Sequence, residues 1–279
     1  MSTVFPISTV FPTTGCRDCT IESRYKTVER VILKMRERLD EPFSLHEMAK
    51  IAYLSPFHFN RVFRQITGIP PTQFLYALRL EEAKRLLLTT HLSVLNICYK
   101  VGYNSLGSFT TRFTQLVGLP PFQLRRLPER SLPLPSAAIG ESRQTFPSLT
   151  FSGSYAEGRI SAPQSQTQAI FVGLFRTRIP QSRPVAGTVM TSPGRYRIGP
   201  LPDGHYYLFA AALPAATEPL NYLLPNTASL LVGGGQESVI VQGGRVYGQT
   251  DIKLRQVRLT DPPILIALPS LLMDMELSN

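Results

Sequence analysis

One helical unit is written twice in this chain, and two copies at a fixed offset constrain the fold more than any other feature. Residues 55–73 read SPFHFNRVFRQITGIPPTQ, and fifty residues on the pattern returns. Aligned, FNRVFRQITGIPPTQF at 59–74 and FTTRFTQLVGLPPFQL at 109–124 share seven of sixteen positions: Phe59/Phe109, Phe63/Phe113, Gln65/Gln115, Gly68/Gly118, Pro70/Pro120, Pro71/Pro121 and Gln73/Gln123. Two aromatics four residues apart lie on one face of a helix. The glycine about a turn later ends that helix, and the proline pair starts the next.

The elements around each copy follow from spacing and caps. From 24 to about 39, Val28, Val31, Ile32, Met35 and Leu39 recur with helical period. Ser44 fits an N-cap, and Glu47 three residues on completes a capping box. Leu45, Met48, Ala49 and Ala52 form the inner stripe of that helix, and the small Ala49 lets a second helix cross closely. The turn Tyr53-Leu54-Ser55 leads into a helix capped by Ser55 with Pro56 at its first position. Phe59, Val62, Phe63 and Ile66 face inward there, leaving Phe57, His58, Asn60, Arg61, Arg64 and Gln65 outward. Helix, tight turn and helix make a helix-turn-helix. A longer helix from Pro71 to about Thr89 separates this unit from the second. In the second, Ser93 caps 94–101, Gly102-Tyr103 turns the chain, and Ser105 opens a helix to about Leu116.

These residues resemble the DNA-binding domain of the AraC/XylS family of bacterial transcription regulators over about 25–126. The resemblance is carried by Leu45-x-x-x-Ala49, Ser55-Pro56 to Phe63, Gly68, Pro71, Phe74 and Arg79-Leu80-x-x-Ala83-x-x-Leu86-Leu87. Ile97, Gly102-Tyr103, Phe109, Phe113, Gly118, Pro121 and Arg125 continue it. The resemblance implies two helix-turn-helix units, joined by a linker helix, that enter successive major grooves of double-stranded DNA. It implies base contacts by Phe57, Asn60 and Arg61 in the first unit, and by Leu106, Gly107, Ser108 and Thr111 in the second. Activation is the commoner role in that family, and it implies RNA polymerase as a further partner.

Residue chemistry agrees with the family for the first unit. Arg61 offers a bidentate fork to guanine and Asn60 a matching pair to adenine. Arg64, one turn past Asn60, suits a phosphate. His58 suits a phosphate contact or a plain surface position. The second unit departs from the family pattern, because Thr111, beside Thr110 on the outward face, stands where an arginine is usual. Its basic residue, Arg112, aligns with inward Val62, rotated by ~100° toward the core, from which it reaches a phosphate rather than a base. The first unit is therefore expected to carry most of the sequence specificity.

Charge follows the repeat. Of a formal net charge of +10, residues 21–130 hold 17 Lys+Arg against 9 Asp+Glu, while 131–279 hold 11 against 9. A basic excess in the repeat-bearing half points to a polyanionic partner, with simple solubility charge as the bland alternative.

The remaining stretches differ in character. Residues 1–20, with STVFP at 2–6 and again at 8–12, read as a disordered leader, 21–127 as the helical domain, and 128–147 as a Pro/Ser-rich linker. After residue 130 lie 15 of the 24 prolines and 14 of the 19 glycines. These punctuate β-type runs at 149–154, 169–175, 187–190, 195–198, 206–212, 229–232, 238–241 and 251–259. The expected fold is thus a two-domain chain: an all-α double helix-turn-helix domain of about seven helices, then an all-β sandwich over 148–279. GPLPDGHYYLFAA at 199–211 resembles carboxypeptidase-regulatory, transthyretin-like β-sandwich domains, which implies a fold and no activity. Tyr206, Tyr207 and Tyr222 are candidates for lining an effector cleft in that domain, or for filling its core. An enzyme or carbohydrate-binding module in this half, with incidental DNA binding, is the competing function. No catalytic constellation supports it, and no cofactor or metal site is expected. Three cysteines form no disulfide framework, Cys16-x-x-Cys19 lacks further metal ligands, and no run is long enough for a membrane span. A cytoplasmic regulator is the expectation.

Overall fold

The computed structural model describes residues 17–129, 144–145, 153–163, 168–214 and 219–267. Its first part is helical: α1 (Arg17–Glu37), α2 (Leu45–Ile51), α3 (Pro56–Thr67), α4 (Pro71–Thr89), α5 (Val94–Lys100), α6 (Leu106–Val117) and α7 (Pro121–Arg126), closed by a 3-10 turn at Leu127–Glu129. Helix α1 begins seven residues before the hydrophobic period does and overlaps the expected leader. The stretch from Arg17 has no proline to stop it, and the Glu22–Lys26 pair at 2.7 Å supports its exposed first turns. Residues 1–16, including Cys16, lie outside the described residues.

The caps act as the repeat requires. Ser44 and Glu47 form the reciprocal capping box, and Ser55, Ser93 and Ser105 each accept from the backbone N–H three residues on. Gly68 (φ 81°) and Gly118 (φ 92°) end α3 and α6 in left-handed conformation, donating to the carbonyls of Arg64 and Thr114. Each tight turn is a Schellman closure: Leu54 N–H bonds the Ala49 carbonyl, and Tyr103 N–H bonds the Cys98 carbonyl, both at 3.0 Å. The left-handed residue is Tyr53 in the first turn and Gly102 in the second. Tyr53 stands in solvent, whereas a Cβ on Gly102 would run into the Leu39 carbonyl and the Arg79 guanidinium.

Both units pack their aromatics on α4. Phe59, Phe63 and Phe74 form an edge-to-face chain with centroids 5.5 Å apart at each step, and Tyr103, Phe109 and Phe113 form a second chain at 5.3 and 5.6 Å whose last step is tilted. Arg79 and Arg125 are structural. Arg79 donates to the Gly102 and Glu41 carbonyls, and Arg125 to those of Leu87 and Leu92, so each ties α4 or its end to a neighbouring segment. Nineteen residues of α4 hold the units apart by ~28 Å of helix axis.

The second part is mostly β, with strands β1 (Gln144–Thr145), β2 (Ser154–Ser161), β3 (Gln168–Phe175), β4 (Ala186–Met190), β5 (Arg195–Leu201), β6 (Gly204–Pro214), β7 (Leu231–Gln242), β8 (Arg245–Tyr247), β9 (Ile252–Lys253) and β10 (Arg255–Gln256), and one short helix, α8 (Pro219–Leu223). The larger sheet runs β1-β4-β3-β6-β7-β10 with β8 on β7, and the smaller runs β5-β2-β9. Between them lies one core that includes Ile170, Leu174, Tyr206 and Leu208 from the large sheet and Ala156, Ile160, Ile198 and Ile252 from the small.

Several runs differ from expectation. The runs at 229–232 and 238–241 are one strand, because Gly233-Gly234-Gly235 carries the chain through a bulge opposite Tyr207–Phe209. Gly234 has φ 89°, and a Cβ there would strike the Leu208 carbonyl, so glycine continues this strand instead of ending it. The run at 251–259 alternates as a strand does but changes sheet: β9 pairs parallel with β2, and β10 pairs with β7. Residues 144–145, expected in the linker, pair with β4, and only Ser154 of the run at 149–154 is in a described strand.

The two parts share a core. Ile179 from the β3–β4 loop, Leu223 from α8, and Leu265 and Ala267 all pack into the helical cluster. Buried Lys84 on α4 donates to the carbonyls of Ile264 and Ile266 at 3.1 and 3.3 Å. Ser182 closes the end of α6, its N–H on the Leu116 carbonyl at 2.7 Å and its hydroxyl on that of Gln115.

Candidate nucleic-acid interface

The outward face of α3 is built by its inward one. Phe59, Val62 and Phe63 are fully buried, and with the helical period this turns Phe57, Arg61 and Arg64 to the surface. Phe57 is 83% exposed, a large apolar side chain held in solvent at the start of the helix. His58 and Asn60 are half-buried at the edges of this face. Among the described residues the side chains of Arg61 and Arg64 make no hydrogen bond or ion pair, unlike Arg79 and Arg125. Two arginines and an aromatic therefore stand on one helix face without an intramolecular task.

The same face of α6 is chemically poorer. Leu106 is 39% exposed, and Gly107, Ser108 and Thr111 are exposed beside half-buried Thr110. The Ser108 hydroxyl donates to the Ser105 carbonyl at 3.0 Å, which occupies it in the N-terminal cap. Arg112 lies toward α4, its guanidinium 4.7 Å from the centroid of the Tyr76 ring. Burial raises the Tyr103 hydroxyl pKa, with the charge of nearby Arg112 opposing that shift. So Arg112 is exposed yet stacked on the Tyr76 ring.

The tyrosines considered for an effector cleft divide. Tyr206 is fully buried between the sheets with its hydroxyl on the Pro202 carbonyl at 2.8 Å, and Tyr222 of α8 is buried against Phe171. Tyr207 is half-buried and accepts from Arg178 at 3.3 Å. Sequence reasoning passed over the β3–β4 loop, where Arg178 reaches the end of α3: its Nη1 lies 4.0 Å from where a Cβ on Gly68 would stand. No local pattern marks that loop, since its partners are on other elements. Among the described residues, no helix is long and apolar enough to cross a membrane, and no His/Cys/Asp/Glu group could hold a metal ion.

A family model described as a helix-turn-helix domain matches residues 48–127. The chain is 31% identical over 94 residues to the HTH-type transcriptional activator AarP of Providencia stuartii, covering 34% of this chain and 70% of that one. It is 32% identical over 90 residues to the HTH-type transcriptional regulator YobQ of Bacillus subtilis, covering 32% of this chain and 37% of YobQ. The chain thus spans little more than a third of YobQ's length. Among solved structures, the DNA-binding domain of AdpA in complex with a target DNA is 32% identical, with a TM-score of 0.35, covering 36% of this chain and 89% of that one.

Proposed function

Because the chain belongs to the AraC/XylS family of transcription regulators, we propose that it is a sequence-specific DNA-binding regulator whose two helix-turn-helix units enter successive major grooves. The observation that carries this is the outward face of α3. Phe57, Arg61 and Arg64 stand there without partners, while every arginine the fold needs is bonded to backbone carbonyls or a carboxylate. In this reading Arg61 and Asn60 contact base edges, Phe57 meets a thymine methyl, and Arg64 and His58 meet phosphate. From α6, Leu106, Gly107, Ser108, Thr110 and Thr111 face the groove with little hydrogen-bonding capacity, and Arg112 supports a phosphate from its place over Tyr76. The first unit reads sequence and the second chiefly holds register.

The ~28 Å α4 spacer suits sites one duplex turn apart, since successive grooves on one face recur every ~34 Å. One chain therefore spans both sites. We assign activation as the regulatory sense, with RNA polymerase as second partner, and the β-sandwich as the part that responds to an effector. Measuring duplex affinity of the full chain against salt tests the DNA reading. Contacts to four or more phosphates give a slope of log K on log salt steeper than about −3.5. A flat response sinks the proposal. A steep slope with equal affinity for every duplex leaves a non-specific, nucleoid-type binder instead.

A further inference from the structure

A cleft of ≈ 1020 Å³ lies between the outward face of α3 and the large sheet. One wall is the proposed reading head: Phe57, Asn60, Arg61 and Arg64. The opposite wall is apolar, formed by Phe171 and Phe175 of β3, Phe209 of β6 and Val232 of β7. This is the sheet face turned away from the small sheet, so it is not covered by the inter-sheet core.

Charge in the cleft is unbalanced. Its three carboxylates are each taken by an arginine: Glu81 by Arg36 at 3.1 Å, Glu82 by Arg85 at 2.6 Å and Asp261 by both ends of Arg255 at 2.7 Å. That leaves Arg61, Arg64, Arg178 and Arg258 in surplus, along with Lys84 on its backbone carbonyls, and Arg178 is held over Tyr207 at the end of α3. The volume is at the upper end of small-ligand sites, which run to about 1,000 Å³. An apolar wall facing unpaired guanidinium groups fits a molecule with an apolar body and one anionic group.

We propose that this cleft binds a small apolar monoanion, a carboxylate or sulfonate on a hydrophobic body, and that its occupancy competes with DNA for the arginines of the first unit. This rests on the assignment of α3 as the DNA-reading helix. The anion takes the arginines that would otherwise meet DNA, so the two ligands compete by direct occupation.

The test uses the full chain and 8-anilinonaphthalene-1-sulfonate, an apolar aromatic sulfonate, as probe. Its fluorescence should rise to saturation at one site per chain, and a saturating selected duplex should displace it. Free probe at about ten times its Kd should weaken duplex affinity about tenfold. Arg178→Gln and Val232→Glu, both on the sheet side, should weaken probe binding at least about tenfold and leave duplex affinity without probe within about threefold. Arg178→Gln is a surface change, which keeps the test decisive should Val232→Glu misfold. Non-saturating fluorescence, or probe affinity unchanged in Arg178→Gln, overturns the site. Saturable binding that duplex does not displace overturns the competition. Probe binding lost in the variants of a chain that binds no duplex leaves the cleft standing and removes the DNA assignment beneath it.

Discussion

Arg61→Ala removes a side chain that is exposed and, among the described residues, makes no hydrogen bond or ion pair, so folding stability should change by less than about 0.5 kcal/mol. Its neighbours Phe59, Val62 and Phe63 stay buried, and the caps at Ser55 and Gly68 are untouched. What is lost is a bidentate contact to one guanine, about 1–3 kcal/mol, or a roughly fivefold to 140-fold weaker complex with the preferred duplex. The loss should be uneven. Against duplexes carrying each other base at that one position, the variant and the parent should bind within about threefold of each other, because the parent makes no such contact there. Fluorescence anisotropy on the four duplexes, with a thermal melt of both proteins, reads all of this. A uniform loss across the four duplexes, with a salt slope reduced by about 1, refutes the reasoning and makes Arg61 a phosphate ligand.

Other consequences are as direct. Arg112→Ala should weaken all duplexes alike and alter no base preference, since the side chain is held over Tyr76; relaxed specificity equal to that of Arg61→Ala would overturn the inequality of the two units. Burial pushes the Lys84 ammonium from 10.5 down to about 8, with Glu81 pulling it back up. The unfolded chain keeps a proton that the folded chain releases across that window, so Lys84 makes stability rise between pH 8 and 10.5 by on the order of 3 kcal/mol. Urea midpoints for the parent and Lys84→Met should diverge over this range, and parallel curves would remove the effect. Gly118→Ala meets only the left-handed backbone, with nothing within 4 Å of the new Cβ, and should cost about 1–2 kcal/mol. Gly102→Ala meets the Leu39 carbonyl and Arg79 as well and should cost clearly more in the same denaturant titration; equal costs would contradict the close packing of that turn.

The helical half was legible because its signals are local. Ser44, Ser55, Ser93 and Ser105 cap helices within three residues of themselves, and Gly68 and Gly118 end them, so a linear pattern holds the whole device. The orientation of the two outward faces was legible for the same reason, since helical period alone turns Arg61 outward and Arg112 toward α4. The β half was less so. Three glycines at 233–235 look like a turn, and only the opposing Leu208 and Phe209 backbone shows that they form a bulge within one strand. The alternation from 251 to 259 reads as one strand, yet Leu254 N–H bonds the Ser161 carbonyl as the chain passes from the small sheet to the large. The cleft was not legible at all. Arg178, Val232 and Arg64 are distant in sequence, and Lys84, Ile179 and Ser182 lock the two halves through contacts that no local pattern encodes.

Selection of bound duplexes from a random pool by the full chain tests the central claim most directly. The expected pool holds one base-selective half-site, containing the guanine read by Arg61, beside a second groove about one helical turn away that shows little preference beyond thymine. Two half-sites of equal selectivity, or a pool that emerges without any preference, would contradict it.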